Sequence, residues 1–314
     1  MFNYFSNTMN NIKTKFSIKD LESLSGIKAH TIRIWEKRYS LFQPNRTDTN
    51  IRNYSLKSLQ KILNISYLNR NGYKISKIAK LSEKEIPLLV NEISKNKNQN
   101  NSVLNAFKMA MFSFDKSLFY STYSDLEKQY SFKDIFYLFI VPFLDDIGLL
   151  WQTDTITPAH EHFIVELIKH KILVITENEI DIEKNKNSKQ TYVLFLPENE
   201  IHELGLLFIN YELTRVGAQS IYLGQSVPIE SLEYLTDFYN DITFISNFTV
   251  KPDTENINNY LETLSNKVLT GTNNNLLISG RQIDTLDTSE LNEKISLFKS
   301  TKDILETLTP NKNY

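Results

Sequence analysis

The sequence predicts a multidomain protein of the α and α/β classes, in which a basic helical head and a helical bundle precede a doubly wound parallel sheet. Positive charge is concentrated near the N-terminus, and the middle of the chain has helical periodicity with few glycines or prolines. From Thr191 onward, short apolar runs alternate with amphipathic stretches. Such alternation is typical of parallel strands joined by helical crossovers. We place the domains at residues 1–83, 84–180 and 190–314.

The charge is unevenly distributed along the chain. The net charge of the 314 residues is −2, yet the part through Leu81 holds 15 of the 35 Lys and Arg residues and only 4 of the 37 Asp and Glu residues. The remainder therefore holds 20 cationic and 33 anionic residues. A basic head on an acidic body is expected when one domain neutralises DNA phosphates. Compositional drift in a proteome rich in lysine and asparagine is the alternative explanation.

Composition and pattern also exclude several classes of protein. The chain has no cysteine, which excludes disulfides, thiolate metal sites and cysteine nucleophiles. It has no run of about 18 apolar residues, and its N-terminus lacks the basic start and apolar block of a secretory signal. We therefore expect a cytoplasmic protein without a membrane partner. Because no paired catalytic carboxylates or activated nucleophile stand out, we do not expect an enzyme.

The head has the local signals of a helix-turn-helix. Ser17 is placed to cap a helix over 18–24, with Asp20 in the capping-box position, and Gly26 follows at a tight turn. A second helix over 30–38 completes the spacing of the motif. In a helix-turn-helix the second helix enters the DNA major groove.

The segment after these helices is predicted to form a wing. Beyond Pro44 comes a polar, hairpin-like stretch that carries Arg46 and Arg52, which suits contact with the phosphate backbone or the minor groove. Two further amphipathic helices with basic outer faces are predicted within residues 55–72 and 74–81.

A specific resemblance strengthens this interpretation. The run HTIRIWEKRYSLFQPNRTDTNIRNYS, residues 30–55, resembles the signature of the MerR family of transcriptional regulators. The resemblance implies a winged helix-turn-helix that binds an operator in double-stranded DNA, whereas a helical protein-interaction module is the alternative. Ser40 and the wing tip at Thr49 and Asn50 depart from the family, which usually has glycine there. The residues that the resemblance assigns to DNA binding are His30, Thr31, Arg33, Lys37, Arg38, Tyr39, Arg46, Arg52 and Tyr54.

Four helices are predicted in the middle of the chain, which favours a four-helix bundle. The first three lie around residues 101–112, 116–130 and 131–152. The last begins at Pro158, with Thr157 as its N-cap.

Two histidines lie at the start of that last helix. His160 and His162 do not have the i, i+4 spacing that places two imidazoles on one helix face, so they do not predict a metal site. Trp151, taken alone, is expected in the core. However, Trp151 and the later pair Glu161-His162 resemble the Trp-x9-Glu-His signature of light-responsive, adenosylcobalamin-binding MerR regulators. The resemblance implies that these three residues line the space for the adenosyl group. Gln152 departs from it, because light-sensing relatives have there a histidine that becomes the second axial cobalt ligand; an amide is a poorer ligand.

The last domain carries a second motif. The runs TYVLFL, SIYLG, ITFISNF and NLLISG are predicted strands, and a polar linker is predicted at 181–190. After the first strand, Glu200-x-His202-x-x-Gly205 resembles the motif of flavodoxin-like cobalamin-binding domains. The resemblance implies that His202 is the lower axial cobalt ligand, that Glu200 holds its ring and that Gly205 lets the ligand approach. A lone surface histidine is the alternative. The family's later elements are matched at Ser246 and, in part, at Gly280.

Together these motifs suggest a three-domain transcriptional regulator, a repressor, that is controlled by adenosylcobalamin and by light. Cofactor occupancy would set a homo-oligomeric state, dimer or tetramer, and several linked heads would bind DNA far better than one. The alternative is a MerR-type regulator whose sensor domain does not use cobalamin and responds to a partner protein or another ligand.

Overall fold

The computed structural model describes residues 15–46, 51–96, 99–152, 155–180, 190–239, 241–286, 288 and 291–308. Contacts divide the chain into two compact units, Met1–Leu167 and Ile168–Tyr314. The wing tip at Thr49 and Asn50, and the linker predicted at 181–190 except its last residue, lie outside the described residues. The domain boundaries drawn from the sequence stay predictions. Within the described ranges, no helix is long and apolar enough to cross a membrane.

The head is a winged helix-turn-helix, as predicted. Its elements are β1 (Lys15–Phe16), α1 (Ile18–Ser25), α2 (Ala29–Tyr39), β2 (Asn45–Arg46) and β3 (Arg52–Ser55). Both hydrogen bonds of the predicted capping box are present: the Asp20 amide donates to the Ser17 hydroxyl at 3.2 Å, and the Ser17 amide donates to the Asp20 carboxylate at 2.6 Å. Gly26 ends α1 in the left-handed conformation, with φ of 71°. The strands form an antiparallel sheet in the order β1-β3-β2, in which β2 and β3 are the wing.

Three helices follow the wing: α3 (Leu56–Arg70), α4 (Ile75–Ile78) and α5 (Glu85–Asn96). The helix predicted within 55–72 is confirmed as α3. The helix predicted over 74–81 is shortened to the single turn of α4. Its N-cap residue, Lys74, provides no side-chain cap. Because several turns are needed to offset the free-energy cost of helix nucleation, a single turn depends on tertiary packing, here the burial of Ile78.

The middle of the chain contains the four predicted helices. They are α6 (Gln99–Ser113), α7 (Lys116–Glu127), a continuous helix composed of α8 (Phe132–Ile135), a π-helical turn (Phe136–Ile140) and α9 (Val141–Gln152), and finally α10 (Pro158–Asn178). The π turn has a local cause. Pro142 has no amide proton to donate to the carbonyl of Leu138, and the wider turn carries the helix past it.

Buried contacts join the head to the helical middle within the first unit. The ring of Phe16 packs edge-on against Phe112, with centroids 5.3 Å apart. The Thr155 hydroxyl, which is fully buried between α9 and α10, donates to the Asp20 carboxylate at 3.3 Å. The head therefore shares its core with the helices that follow it.

The second unit is built on a five-stranded parallel sheet. Its strands are β4 (Thr191–Phe195), β5 (Gln219–Gly224), β6 (Ile242–Asn247), β7 (Asn275–Ser279) and β8 (Ile295–Phe298), in the order β5-β4-β6-β7-β8. This is the strand order of doubly wound, flavodoxin-like sheets, in which ligands bind where the order reverses, between β4 and β6. The helices α11 (Leu204–Arg215), α12 (Ile229–Leu235), α13 (Ile257–Leu264) and α14 (Thr301–Leu308) accompany the strands.

The sequence predicted β4, β5, β6 and β7 of this sheet but missed β8. The three inner strands, β4, β6 and β7, are largely apolar runs, as expected for strands that are buried on both faces. The four residues of β8 instead have mixed burial, since only Ile295 is buried and Ser296 is exposed. A short edge strand of this kind resembles a loop in sequence.

Candidate functional site

The second helix of the head presents a cationic face to solvent. His30, Arg33, Lys37 and Arg38 are all exposed along α2, whereas the side chains on its opposite face, Ile32 and Trp35, are buried. Two other residues assigned to DNA binding, Thr31 and Tyr39, are partly covered. The Thr31 hydroxyl lies 3.4 Å from the His30 ring, and the Arg38 guanidinium lies over the Tyr39 ring, 5.5 Å from the ring centroid. The structure therefore places on one face of α2 four of the residues that the sequence assigned to DNA binding.

The wing is tied to this helix through one carboxylate. Glu36 of α2 accepts a hydrogen bond from Arg52 Nε at 3.2 Å and another from the Tyr54 hydroxyl at 3.0 Å. Arg46 is exposed on β2 and Arg52 is half-buried on β3. The orientation of the wing relative to α2 is thus held by a charge-assisted pair.

Tyr54 differs from the other residues that the sequence assigned to DNA binding. Its side chain is fully buried, and burial, followed by the hydrogen bond to Glu36, raises the pKa of its hydroxyl. In this structure the ring lies behind the wing and its hydroxyl is bonded to Glu36 of α2. The direct DNA contact expected of Tyr54 stays a prediction.

The Trp-Glu-His residues of the helical middle lie where α9 ends and α10 begins. Trp151 Nε1 donates to Glu161 Oε2 at 2.5 Å, so the structure brings these two side chains together. The indole is 37% exposed rather than part of the core. His162 is exposed one residue further along α10. The side chain of Gln152 lies outside the described set.

His160 has a structural environment. Its ring is fully buried, stacks on Phe114 with centroids 5.0 Å apart, and packs against Phe112 at 5.3 Å. Its Nδ1 lies 2.9 Å from the Thr157 hydroxyl and accepts the Thr157 amide at 3.2 Å. Among the described residues, no group of three or more His, Asp or Glu side chains is arranged to hold a metal ion by itself.

The Glu200-His202 pair lies at the carboxyl edge of the sheet, in the loop after β4. His202 Nδ1 lies 2.5 Å from Glu200 Oε1, and the imidazole is 41% exposed while the carboxylate is completely buried. The same oxygen accepts the amides of Ile201 at 2.8 Å and His202 at 3.0 Å. The other oxygen accepts three successive amides of the loop after β6, those of residues 249–251, at 3.1, 2.6 and 2.8 Å.

These hydrogen bonds keep Glu200 ionised. Burial would raise the pKa of Glu200, but the His202 ring and the amides of Lys251, Val250 and His202 outweigh it and lower the pKa to about 2. The ionised Glu200 favours a proton on His202 Nδ1, the nitrogen that faces it. In the neutral tautomer with that proton, the lone pair of the ring lies on Nε2, the atom that a metal ion would bind.

A second buried carboxylate supports the same loop. Glu203 Oε2 accepts the Tyr222 hydroxyl at 2.6 Å, and Glu203 Oε1 accepts the Gln225 amide and the Lys169 ammonium, both at 2.5 Å. Gln225 also donates to the carbonyl of Ile201 at 3.2 Å. Burial, followed by the bond to Glu203, raises the pKa of Tyr222. The loop that presents His202 is thus fixed on both sides.

Three residues that the sequence assigned to the cofactor have packing roles in the structure. Ser246 is fully buried, and its hydroxyl donates to the Phe195 carbonyl at 2.8 Å; the ligand contact expected of it stays a prediction. A methyl group on Gly205 would lie 3.0 Å from the Thr301 side chain, so this glycine admits α14. Gly280 has φ of 116°, and a methyl group there would lie 2.6 Å from the carbonyl carbon of Phe248. It allows the loops after β6 and β7 to touch.

Several groups of this region were not predicted from the sequence. The amides of residues 249–251 are backbone groups, which leave no residue-type signal. Ile201 and Val250 are exposed apolar side chains in the two loops that Glu200 joins, and Glu200 accepts the amides of both. An apolar rim beside the exposed imidazole of His202 suits the face of a large planar ligand.

Comparisons with known proteins bear on both sites. Residues 16–85 match the family described as MerR HTH family regulatory protein, and residues 103–176 match the family described as B12 binding domain. The chain is 24% identical over 227 residues to the HTH-type transcriptional repressor CarH of Myxococcus xanthus, which covers 69% of this chain and 73% of that protein. The Methanosarcina barkeri monomethylamine corrinoid protein has a TM-score of 0.54 at 13% identity and covers 68% of this chain and 100% of that one. This structural likeness concerns the fold alone.

Proposed function

We propose that this chain is a transcriptional repressor whose affinity for its operator is set by adenosylcobalamin. Its similarities are those of a MerR-type DNA-binding regulator with a B12-binding domain, not those of an enzyme. The single observation that carries the cofactor proposal is the Glu200–His202 pair at the reversal point of the sheet. The exposed cationic face of α2 and the wing tied to it carry the DNA-binding function.

The pair suits a cobalt corrinoid because of the form in which it holds the imidazole. The ionised Glu200 accepts the Nδ1 proton, orients the ring and increases the electron donation of Nε2. His202 Nε2 would then be the atom that holds the cobalt. The carboxylate is itself fixed by backbone amides from two loops, so the ring is pre-oriented before any ligand arrives.

Trp151, Glu161 and His162 would contact the adenosyl group. An exposed indole offers a flat apolar surface to adenine, and Glu161 and the exposed His162 offer hydrogen-bonding groups to the nucleoside. The bond between Trp151 and Glu161 fixes both side chains in advance. Bound adenosylcobalamin supplies a cobalt–carbon bond that light breaks, which would make the regulator light-responsive.

Regulation would act through the number of DNA-binding heads in one assembly. A homo-oligomer, dimer or tetramer, that holds several heads binds a repeated operator much more tightly than a single head, because each further contact is intramolecular. The cofactor would favour the oligomer in darkness.

Fluorescence anisotropy of an operator duplex tests this function. The duplex is selected from a randomised pool by the full-length protein, and binding is measured at one salt concentration without ligand, with adenosylcobalamin in darkness, and after illumination. We expect the dark holoprotein to bind tightest and illumination to weaken binding. Equal operator affinities in all three states would show that cobalamin does not regulate DNA binding. Weaker binding by the dark holoprotein than by the other two states would show that the cofactor releases the operator instead of favouring its binding.

A pair of histidine variants separates the ligand role from general damage. His202→Ala should abolish the response to adenosylcobalamin while leaving ligand-free DNA binding intact. His170→Ala, at an exposed position on α10, is the matched control and should respond like the unaltered protein. If His202→Ala still responds, the lower axial assignment is wrong. If neither variant nor the parent binds cobalamin, a sensor that uses a partner protein or another ligand becomes the better explanation.

A further inference from the structure

The exposed face of α2 contains one residue that does not match its neighbours. The five residues His30, Arg33, Ile34, Lys37 and Arg38 follow the i, i+3, i+4, i+7, i+8 spacing of a single helix face, and all five are exposed. Four of them are cationic or can become so. Ile34, in the middle of the set, is 52% exposed.

The position of Ile34 distinguishes it from an ordinary exposed apolar side chain. Isolated apolar residues on a surface are common and need no explanation. Here, however, the residue lies at the centre of the face that a helix-turn-helix directs into the major groove. It is also β-branched, which leaves one preferred χ1 rotamer in a helix, so little side-chain entropy is lost when it is buried in a complex.

The flanking charges argue against a second copy of this chain as the occupant. An isologous contact on this face would bring Arg33, Lys37 and Arg38 of each copy close to those of the other. Like charges at close range oppose such an interface. A polyanion that also offers a small apolar group satisfies the cations and the isoleucine together.

We propose that Ile34 is a specificity-determining residue that contacts the C5-methyl group of a thymine in the operator. The major-groove edge of a thymine carries this methyl group, which cytosine and the purines do not offer, and apolar side chains contact it. Arg33, Lys37 and Arg38 would contact guanine edges or phosphates on either side. The inference rests on DNA binding by the head and does not depend on cobalamin.

The test removes the methyl group from the DNA and the isoleucine from the protein. In the duplex selected by full-length protein, each thymine is replaced singly by deoxyuridine, and the dissociation constant is measured by anisotropy at fixed salt. One thymine in each half-site should be sensitive, with a loss of about fourfold on removing the methyl group. In Ile34→Ala the affinity for the duplex should fall, and replacing that thymine by deoxyuridine should no longer change the dissociation constant. The smaller change Ile34→Val should lower the affinity less and should reduce, not abolish, the effect of the replacement.

Ile51→Val is the matched control, because Ile51 is a second exposed isoleucine of the head that lies on the wing side, outside α2. Its variant should keep the full sensitivity to deoxyuridine at the same thymine. Unchanged sensitivity in Ile34→Ala, or sensitivity at no thymine, would overturn the assignment of Ile34 while sequence-specific binding stands. If the protein selects no duplex at all, DNA recognition by the head fails and the inference fails with it.

Discussion

At the scale of single residues, Glu200 performs two tasks with one carboxylate. One oxygen faces the His202 ring and the amides of its own loop, and the other accepts the three amides of residues 249–251. It therefore joins the loops after β4 and β6 and also orients the ring of the histidine. Loss of its charge should weaken both the fold and the ligand site.

Glu200→Gln tests this double role. The side-chain amide of glutamine would put its NH₂ group where one carboxylate oxygen of Glu200 now accepts backbone amides. Those buried amides would lose their acceptor, which should lower the free energy of unfolding by about 2–3 kcal/mol. Loss of the carboxylate behind an axial histidine should also weaken cobalamin binding about tenfold or more. Urea unfolding and a corrinoid titration measure the two effects. Glu198→Gln, exposed in the same loop, is the control, and equal behaviour of the two variants would contradict the role given to Glu200.

The residues show where sequence patterns are sufficient and where they fail. The Glu200–His202 contact was predictable because two residues apart in one loop are neighbours whatever the rest of the chain does. Burial of Tyr54 and Ser246 was not predictable, because it depends on strands and helices that are distant in sequence. Motifs indicate which residues matter, but the surrounding elements decide whether a side chain faces a ligand or the core.

At the scale of elements, the end of α2 carries conformational strain. The helix ends at Ser40, whose φ of 51° and ψ of 31° lie in the left-handed region, and its amide donates to the Glu36 carbonyl at 3.1 Å. In this conformation the Cβ of serine lies close to a backbone carbonyl oxygen, a steric conflict that glycine, without Cβ, does not have. Ser40 therefore destabilises the end of α2, the helix that we propose contacts DNA.

Ser40→Gly should stabilise the protein by about 0.5–1 kcal/mol, because the left-handed conformation costs glycine nothing. The measurement is the midpoint of thermal or urea unfolding of the full chain. Ser121→Gly provides a control of opposite sign: it lies exposed within α7, where glycine should cost about as much as it gains at Ser40. If both variants lower the midpoint, Ser40 is not strained in the folded protein.

Elements with local signals were predicted well. The capping box of α1, the proline at the start of α10 and the apolar runs of β4 and β6 are marked in the sequence itself. The truncated α4 and β8 were not, since each depends on packing. The π turn was not predicted either, although Pro142 lies just after it. Local chemistry fixes the start of an element more clearly than its end.

At the scale of the whole molecule, the first unit combines the head with the helices that carry the Trp-Glu-His residues. The segment between α9 and α10 holds Thr155, which donates to Asp20 in the first turn of α1. Phe112, which contacts the buried His160 ring, also packs on Phe16 of the head. Residues next to the proposed adenosyl contacts thus lie against the DNA-binding motif itself.

The central claim is that the chain binds adenosylcobalamin through His202, and the visible absorption spectrum of the protein tests it most directly. The full-length protein is incubated with adenosylcobalamin in darkness, desalted, and its spectrum is recorded before and after green light. We predict a corrinoid spectrum that survives desalting, that changes irreversibly on illumination and that is absent from His202→Ala. A desalted protein without colour would contradict the claim and would leave a MerR-type regulator that responds to another signal.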